Sequence, residues 1–418
     1  MKFIAAFTLS AALLLTSSAY AEEPSVVSKE WSSYVEPLMP IGERMAALMP
    51  DQEDPRMRLD LYRMIFMGIS TAFVGESLGD PQHPTFWPIW NPVFNWFAPN
   101  PDDSYSEAKI DGNGIYKISG FRGTVRLLDF QIGNLALYDG GEFGKNPTLA
   151  DYFADTLHVK KDGSFEVILS NERPAGYKGD WWKLDPKATS ILVRLVSYDW
   201  VNEVDARFAI ERLNQAGPKP LPSAEDIDAQ LRKIPVWAEN WTKLSLLWPK
   251  NLRDRGYVNK LWAHNLSDLG GVTTQTYVEG LIEMNPDEAL IYETEVPKKC
   301  AYWNIEITDM LWSLVDVMNR QSSLNGHTAK LDKDGKFRAV ISISDPGVPN
   351  WLDTGGHTKG TIFARWTGCS SNPTPVITRV KFSDLRKYLP ADTPLVSAEA
   401  RIAVLRLRSK GVQLRRRW

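Results

Sequence analysis

Cysteine is nearly absent: Cys300 and Cys369 are the only two in 418 residues. That scarcity excludes a scaffold held by several disulfides, and without a C-x-x-C pair it excludes a thioredoxin-like redox centre. Histidine is also scarce. His83, His158, His264, His327 and His357 show no H-x-H or H-E-x-x-H spacing, so no metal site is expected unless distant loops converge. No G-x-S-x-G elbow and no phosphate-binding glycine loop occurs, and no cofactor is expected. An excess of positive charge is lacking too, with 48 Lys and Arg against 51 Asp and Glu. That balance argues against a nucleic-acid partner, which needs clustered cations.

Long apolar runs are confined to the start of the chain. Lys2, the apolar residues 3–15 and the small-x-small site Ala19-Tyr20-Ala21 read as a cleaved signal peptide over residues 1–21, leaving a mature chain from Glu22. The alternative, an uncleaved anchor, needs about 20 apolar residues. The expected location is periplasmic or secreted, with no transmembrane segment after cleavage. In an oxidising compartment Cys300 and Cys369 are expected to be bridged rather than left as buried thiols.

What is abundant is tryptophan, whose 16 copies outnumber Tyr (14) and Met (10). Two stretches also echo each other. Residues 162–194 and 334–365 each open on Asp-Gly, continue as an alternating strand (Phe165, Val167, Leu169; Phe337, Ala339, Ile341), and pass a Pro/Gly turn and a tryptophan. Each then returns as a strand ending in arginine, Arg194 or Arg365. Asp129-Phe130-Gln131-Ile132 likewise echoes Asn304-Ile305-Glu306-Ile307. Asp-Gly suits a hairpin because glycine tolerates positive φ, and period-two alternation places one side of each strand on a core. The expected fold is mainly β with helical segments (α+β). It consists of two tandem β-sandwich or jelly-roll-like units from an internal duplication, each preceded by helices.

The segments follow from composition. Residues 22–99 carry a broken helix and a better one after Pro55; residues 100–216 form the first β unit; residues 217–273 begin with a Pro-rich linker and a helix capped by Ser223. Residues 274–418 form the second β unit with a closing helix at 397–407 and a basic tail. That tail, with Arg401, Arg406, Arg408, Lys410 and Arg415 to Arg417, reads as a solvated face, with a membrane-surface or anionic-partner patch as the alternative.

Several short motifs, Asn100-Pro101-Asp102-x-x-Tyr105, Tyr302-Trp303-Asn304, Ser323-Leu324-Asn325 and Asp345-Pro346-Gly347-x-x-Asn350-Trp351-Leu352, resemble a bacterial family of exported proteins whose defining domain is of unknown function. The resemblance spans nearly the whole mature chain. It implies a two-domain β-sandwich and no catalytic residue.

The aromatic surplus suggests a pocket in which aromatic faces meet a ligand and amides orient it. The candidate ligand-binding residues are Asn100, Asp102, Tyr105, Trp303, Asp345, Asn350, Trp351, His357 and Arg365. The second copy's turn is favoured because its acid, amide and imidazole cluster has no counterpart in the first. The function so read is binding of a small apolar-faced molecule, carbohydrate or lipid-like ligand in a cleft between the units. A hydrolase or lyase acting there, and a structural or interaction module, are the other readings; no catalytic residue is named.

Overall fold

The computed structural model describes residues 30–134, 147–215 and 217–415, and the leader expected at 1–21 lies outside them. Helices α1 (Ser32–Val35) and α2 (Ile41–Ala46) come first, α2 starting directly after Pro40, and α3 (Pro55–Leu78) follows. Asp54 starts α3 by accepting from the N–H groups of Arg56 and Met57, with proline at the first helical position where no N–H is needed. Ser223 and Asp226 form a capping box that starts α4 (Ala224–Asp254). The two long helices touch where Gly68 meets Ala238, and a Cβ on Gly68 would stand 3.1 Å from the Ala238 Cα.

The first β unit contains β1 (Asp103–Lys109), β2 (Tyr116–Phe121), β3 (Leu127–Gly133), β4 (Thr148–Phe153), β5 (Ser164–Ser170), β6 (Asp180–Lys183), β7 (Ser190–Val196) and β8 (Arg207–Arg212). After α4 come β9 (Trp262–His264), β10 (Gln275–Glu283), β11 (Glu288–Glu295), β12 (Cys300–Thr308), β13 (Ser323–Asn325), β14 (Lys336–Ser342), β15 (Trp351–Asp353), β16 (Lys359–Cys369) and β17 (Val376–Lys381), and then α5 (Ala398–Leu414). The first unit pairs its strands β1-β7-β3-β4 and β6-β5-β2-β8. The second pairs β10-β16-β12-β13 and β15-β14-β11-β17, adding β9 beside β10. Position by position the orders are the same, down to one parallel pair in each unit, β5 with β6 and β14 with β15.

The echoed residues fall where the repeat predicts. Gly163 and Gly335 take φ of +82° and +81° in the turns before β5 and β14, and Arg194 and Arg365 sit in the equivalent strands β7 and β16. Residues 157–159 form no strand, and the sheet includes β4, whose half-buried residues carry no clear alternation. Cys300 and Cys369 face each other across β12 and β16 and are bridged.

Alternation sorts every central strand into two faces. Ile191, Val193 and Leu195 of β7 enter the first sandwich core with Phe130, and Ile362, Ala364 and Trp366 of β16 enter the second with Phe337. The opposite faces of these two sheets, carrying Arg194 and Arg365, turn toward one another, so the two sandwiches meet along a seam. Helices α2, α3 and α4 cover one end of it with Trp87, Trp96, Trp237 and Trp241. Among the described residues no helix is long and apolar enough to cross a membrane.

Candidate functional site

The seam begins as a polar latch. Asn100 accepts from the backbone N–H of Asp102 (3.0 Å) and donates to Asp103 (2.8 Å), while its own N–H donates to the Tyr105 hydroxyl (2.8 Å). These local bonds account for the N-P-D-x-x-Y spacing. Across the seam, Asp102 accepts from Tyr302 Oη (2.6 Å) and Asn325 Nδ2 (2.8 Å), and Asn304 Nδ2 donates to Asn100 (2.8 Å); within its own unit Asp102 accepts from Trp200 Nε1 (2.8 Å). Such a network orients the two units because each of its buried groups has a partner.

Beside the latch lies a cavity of about 180 Å³ whose wall is largely aromatic, with Trp90, Tyr105, Trp241, Trp248, Tyr277 and Trp312. Its polar groups are Asn100, Asp103, Asp129, Gln131, Arg194 and Arg365, with Gln275 and Thr367 at one side. The two arginines occupy equivalent places. Arg194 lies between Tyr105 and Asp129 in the sheet, and Arg365 between Tyr277 and Asn304. The acid and amide have exchanged positions between copies, Asp129 and Gln131 in one, Asn304 and Glu306 in the other. In the second copy the pair is closed: both Glu306 oxygens receive Arg365 N–H groups (3.0 and 3.3 Å), and Arg365 also donates to the Ala98 carbonyl (2.8 Å). In the first copy Arg194 donates to Asp129 Oδ2 (3.1 Å), Gln131 (3.1 Å) and the Gly270 carbonyl (3.4 Å). Asp129 Oδ1 is buried without a partner, as are the indole N–H groups of Trp90 and Trp312.

The backbone is strained at the same place. Of the four non-glycine residues with positive φ among those described, Phe97 (66°), Ala98 (45°) and Trp312 (63°) line the cavity. Left-handed backbone in side-chain-bearing residues costs energy and clusters at functional sites.

Burial sets the titration of this region. It pushes Asp129 and Glu306 up to about 8 and Asp103 to about 6, against the pull of Arg194 and Arg365. The same contacts raise both arginines, as ion pairing requires. For the carboxyls the opposite effect prevails because three of them share two guanidiniums in a closed space. A folded-state value above the ordinary carboxyl range means that the folded protein holds protons the unfolded chain has released. The stabilisation from these groups is therefore complete below about pH 4 and is lost as pH rises toward about 8. We expect the thermal midpoint to fall between pH 5 and pH 8.5. A midpoint that stays level or climbs over that interval would contradict this assignment.

The structure separates the residues that the sequence grouped as candidates. Asn100, Tyr105 and Arg365 line the cavity, and Asp102 stands directly behind it in the latch. Trp303 packs in the second sandwich core against Phe337 and Trp366. The turn from Asp345 is a brace: Asp345 pairs with Arg401 (2.8 Å), and Asn350 donates to the Lys330 (2.6 Å) and Arg338 (2.8 Å) carbonyls. Trp351 donates to the Ser342 carbonyl (3.1 Å) beneath the Arg401 guanidinium. His357 is half-buried in the turn between β15 and β16, outside the lining, and burial lowers its pKa. Asp129, Gln131, Arg194 and Tyr277 were missing from the candidates. The echo between residues 129–132 and 304–307, laid against the repeated arginines, is the signal for the first three, and neither echo includes Tyr277. Among the described residues no group of three or more His, Cys, Asp or Glu is placed to hold a metal ion.

Residues 285–367 match a family described as a protein of unknown function (DUF1214). That stretch is the central part of the second unit and includes Glu306 and Arg365. A crystal structure of an uncharacterised protein from Burkholderia cenocepacia is similar over 84% of this chain and 97% of its own, with 28% identity and a TM-score of 0.77. The VPA0106 protein from Vibrio parahaemolyticus aligns over 77% of this chain and 99% of its own, with 14% identity and a TM-score of 0.44. No curated protein matches the chain.

Proposed function

We propose that the protein binds a small, mostly apolar organic molecule in the seam cavity between its two β units. The observation that carries this reading is the set of buried, unpartnered polar atoms, Asp129 Oδ1 and the indole N–H groups of Trp90 and Trp312, around an aromatic-walled space. Buried polar groups without partners are costly in a protein that gains nothing from them, and a ligand supplies the missing partners. The strained backbone at Phe97, Ala98 and Trp312 supports the same place. The reading also puts the protein outside the cytoplasm, supported by the leader-like residues 1–21 and by the disulfide.

Protein purified natively from its own cells should release a bound small molecule on denaturation, detectable by mass spectrometry. Leu244 lines the cavity, and Leu244→Trp should fill it and abolish that release with the melting temperature kept. If neither protein carries a molecule, and no small apolar compound raises the melting temperature, the proposal fails.

A further inference from the structure

The two copies of the arginine site differ in a way that defines what the cavity takes. In the second copy the acid is a glutamate whose two oxygens each already receive an Arg365 N–H, and Glu306 is not among the residues lining the cavity. The first copy carries a shorter acid, two residues earlier along its strand, and only Oδ2 of Asp129 reaches Arg194. Asp129 lines the cavity at 2% exposure, and its Oδ1 has no hydrogen-bond partner in the protein. No protein group donates to that oxygen, so a hydrogen-bond donor on a ligand would meet an acceptor still open to it.

The remaining features restrict that ligand. An engineered apolar cavity of roughly 150 Å³ is known to hold benzene, so about 180 Å³ accommodates one ring and a short substituent. Trp90, Trp241 and Trp312 offer aromatic faces and edges to such a ring. Charge restricts it further. Above about pH 8, where all three carboxyls are ionised, Asp103, Asp129 and Glu306 outnumber Arg194 and Arg365, and a carboxylate brought into the cavity would add a fourth acid to two cations.

We infer that the seam cavity takes a single-ring molecule bearing a hydroxyl or amine, and that Asp129 Oδ1 receives the donated hydrogen. This rests on the binding reading above and names the ligand class for the same site. Asp129 is the specificity-determining residue, and Arg194 positions it by holding Oδ2.

The test is calorimetric titration of the full-length protein with toluene, benzyl alcohol, benzylamine and benzoate at about pH 9, above the raised value of Asp129, where its carboxylate is ionised. One charge-assisted hydrogen bond should make the better of the alcohol and the amine about 10-fold to 100-fold tighter than toluene, with benzoate weaker than toluene. The alcohol-to-amine ratio then shows whether the donor is neutral or cationic. Asp129→Asn should abolish the preference over toluene. Should that variant fail to fold, the four probes on the unaltered protein still decide. Toluene binding as well as the donors, benzoate binding best, or a preference that persists in Asp129→Asn would each overturn the inference. So would failure of all four rings to bind, although a molecule released from natively purified protein would then leave the broader binding reading intact.

Discussion

Replacing Arg415 by Ala should destabilise the protein by about 3–5 kcal/mol, the usual consequence of removing one partner of a buried ion pair. The basic tail is the last place where the sequence suggests such an effect, since a run of arginines reads as solvated. In the structure, the seven-residue spacing of Arg401, Arg408 and Arg415 puts all three on one side of α5, because seven residues make close to two helical turns. Each one docks. Arg401 pairs with Asp345 (2.8 Å) and donates to Gln321 (2.9 Å) in the second unit. Arg408 lies over Trp200 (4.5 Å) and donates to the Val317 and Ser323 carbonyls and the Ser323 hydroxyl. Burial lowers Arg408 to about 10. At the end of the helix Arg415 reaches the first unit, pairing with Asp205 (3.0 Å) and donating to the Asp102 (2.5 Å) and Leu195 (2.6 Å) carbonyls. Its side chain is 1% exposed, so truncation leaves Asp205 without its cation and two carbonyls without a donor. Helix α5 therefore ties one unit to the other, and the solvated reading of these three arginines is corrected. Urea unfolding is the measurement. Arg406→Ala, on the exposed side of α5, should stay within about 0.5 kcal/mol of the unaltered protein. Equal, small effects of the two substitutions would show that the docking contributes nothing.

The second large effect is expected at Asp102. Substitution by Ala removes one shared acceptor from Tyr302 Oη, Asn325 Nδ2 and Trp200 Nε1 at once, and three buried hydrogen bonds lost at about 1–1.5 kcal/mol each should cost about 3–5 kcal/mol. Substitution by Asn should cost much less, about 1 kcal/mol. The Tyr302 hydroxyl stands 3.0 Å from Asn100 Oδ1 as well as 2.6 Å from Asp102 Oδ2. Its hydrogen can turn to Asn100 while its oxygen accepts from the new amide, and the amide carbonyl still receives Trp200 and Asn325. Unfolding midpoints of the two variants measure the difference. Equal losses would mean that the negative charge of Asp102, and not its hydrogen bonds, holds the seam.

Much of the fold was legible because its causes are local. Asp162-Gly163 and Asp334-Gly335 dictate turns whatever surrounds them, alternating residues make half-buried strands, and Asp54 and Ser223 cap helices within four residues of themselves. The repeat was legible for the same reason: two copies built from local rules retain them. The long helix α4 carries Pro235 and Pro249 in its interior, a local conflict that its buried packing overrides. Strand β4 was not legible, since its half-buried residues carry no clear alternation.

The site was only partly legible, and Trp351 and Asp129 show why. A tryptophan beside an acid and an amide reads as a ligand contact, yet Trp351, Asp345 and Asn350 bond to Ser342, Arg401, Lys330 and Arg338 and brace a turn. The pattern Leu-Asp-Phe-Gln-Ile at residues 128–132 reads as a strand with its polar side in water. The sequence by itself determined the repeat of turn and strand and the sorting of each strand into an apolar and a polar face, since turn chemistry and side-chain alternation act over a few residues. Tertiary structure alone decided that the polar faces of β3, β7, β12 and β16 turn toward each other instead of water. Alternation separates the two faces of a strand but says nothing of what covers them, and packing one copy against the other desolvated Arg194, Arg365 and Asp129 and closed the cavity between them.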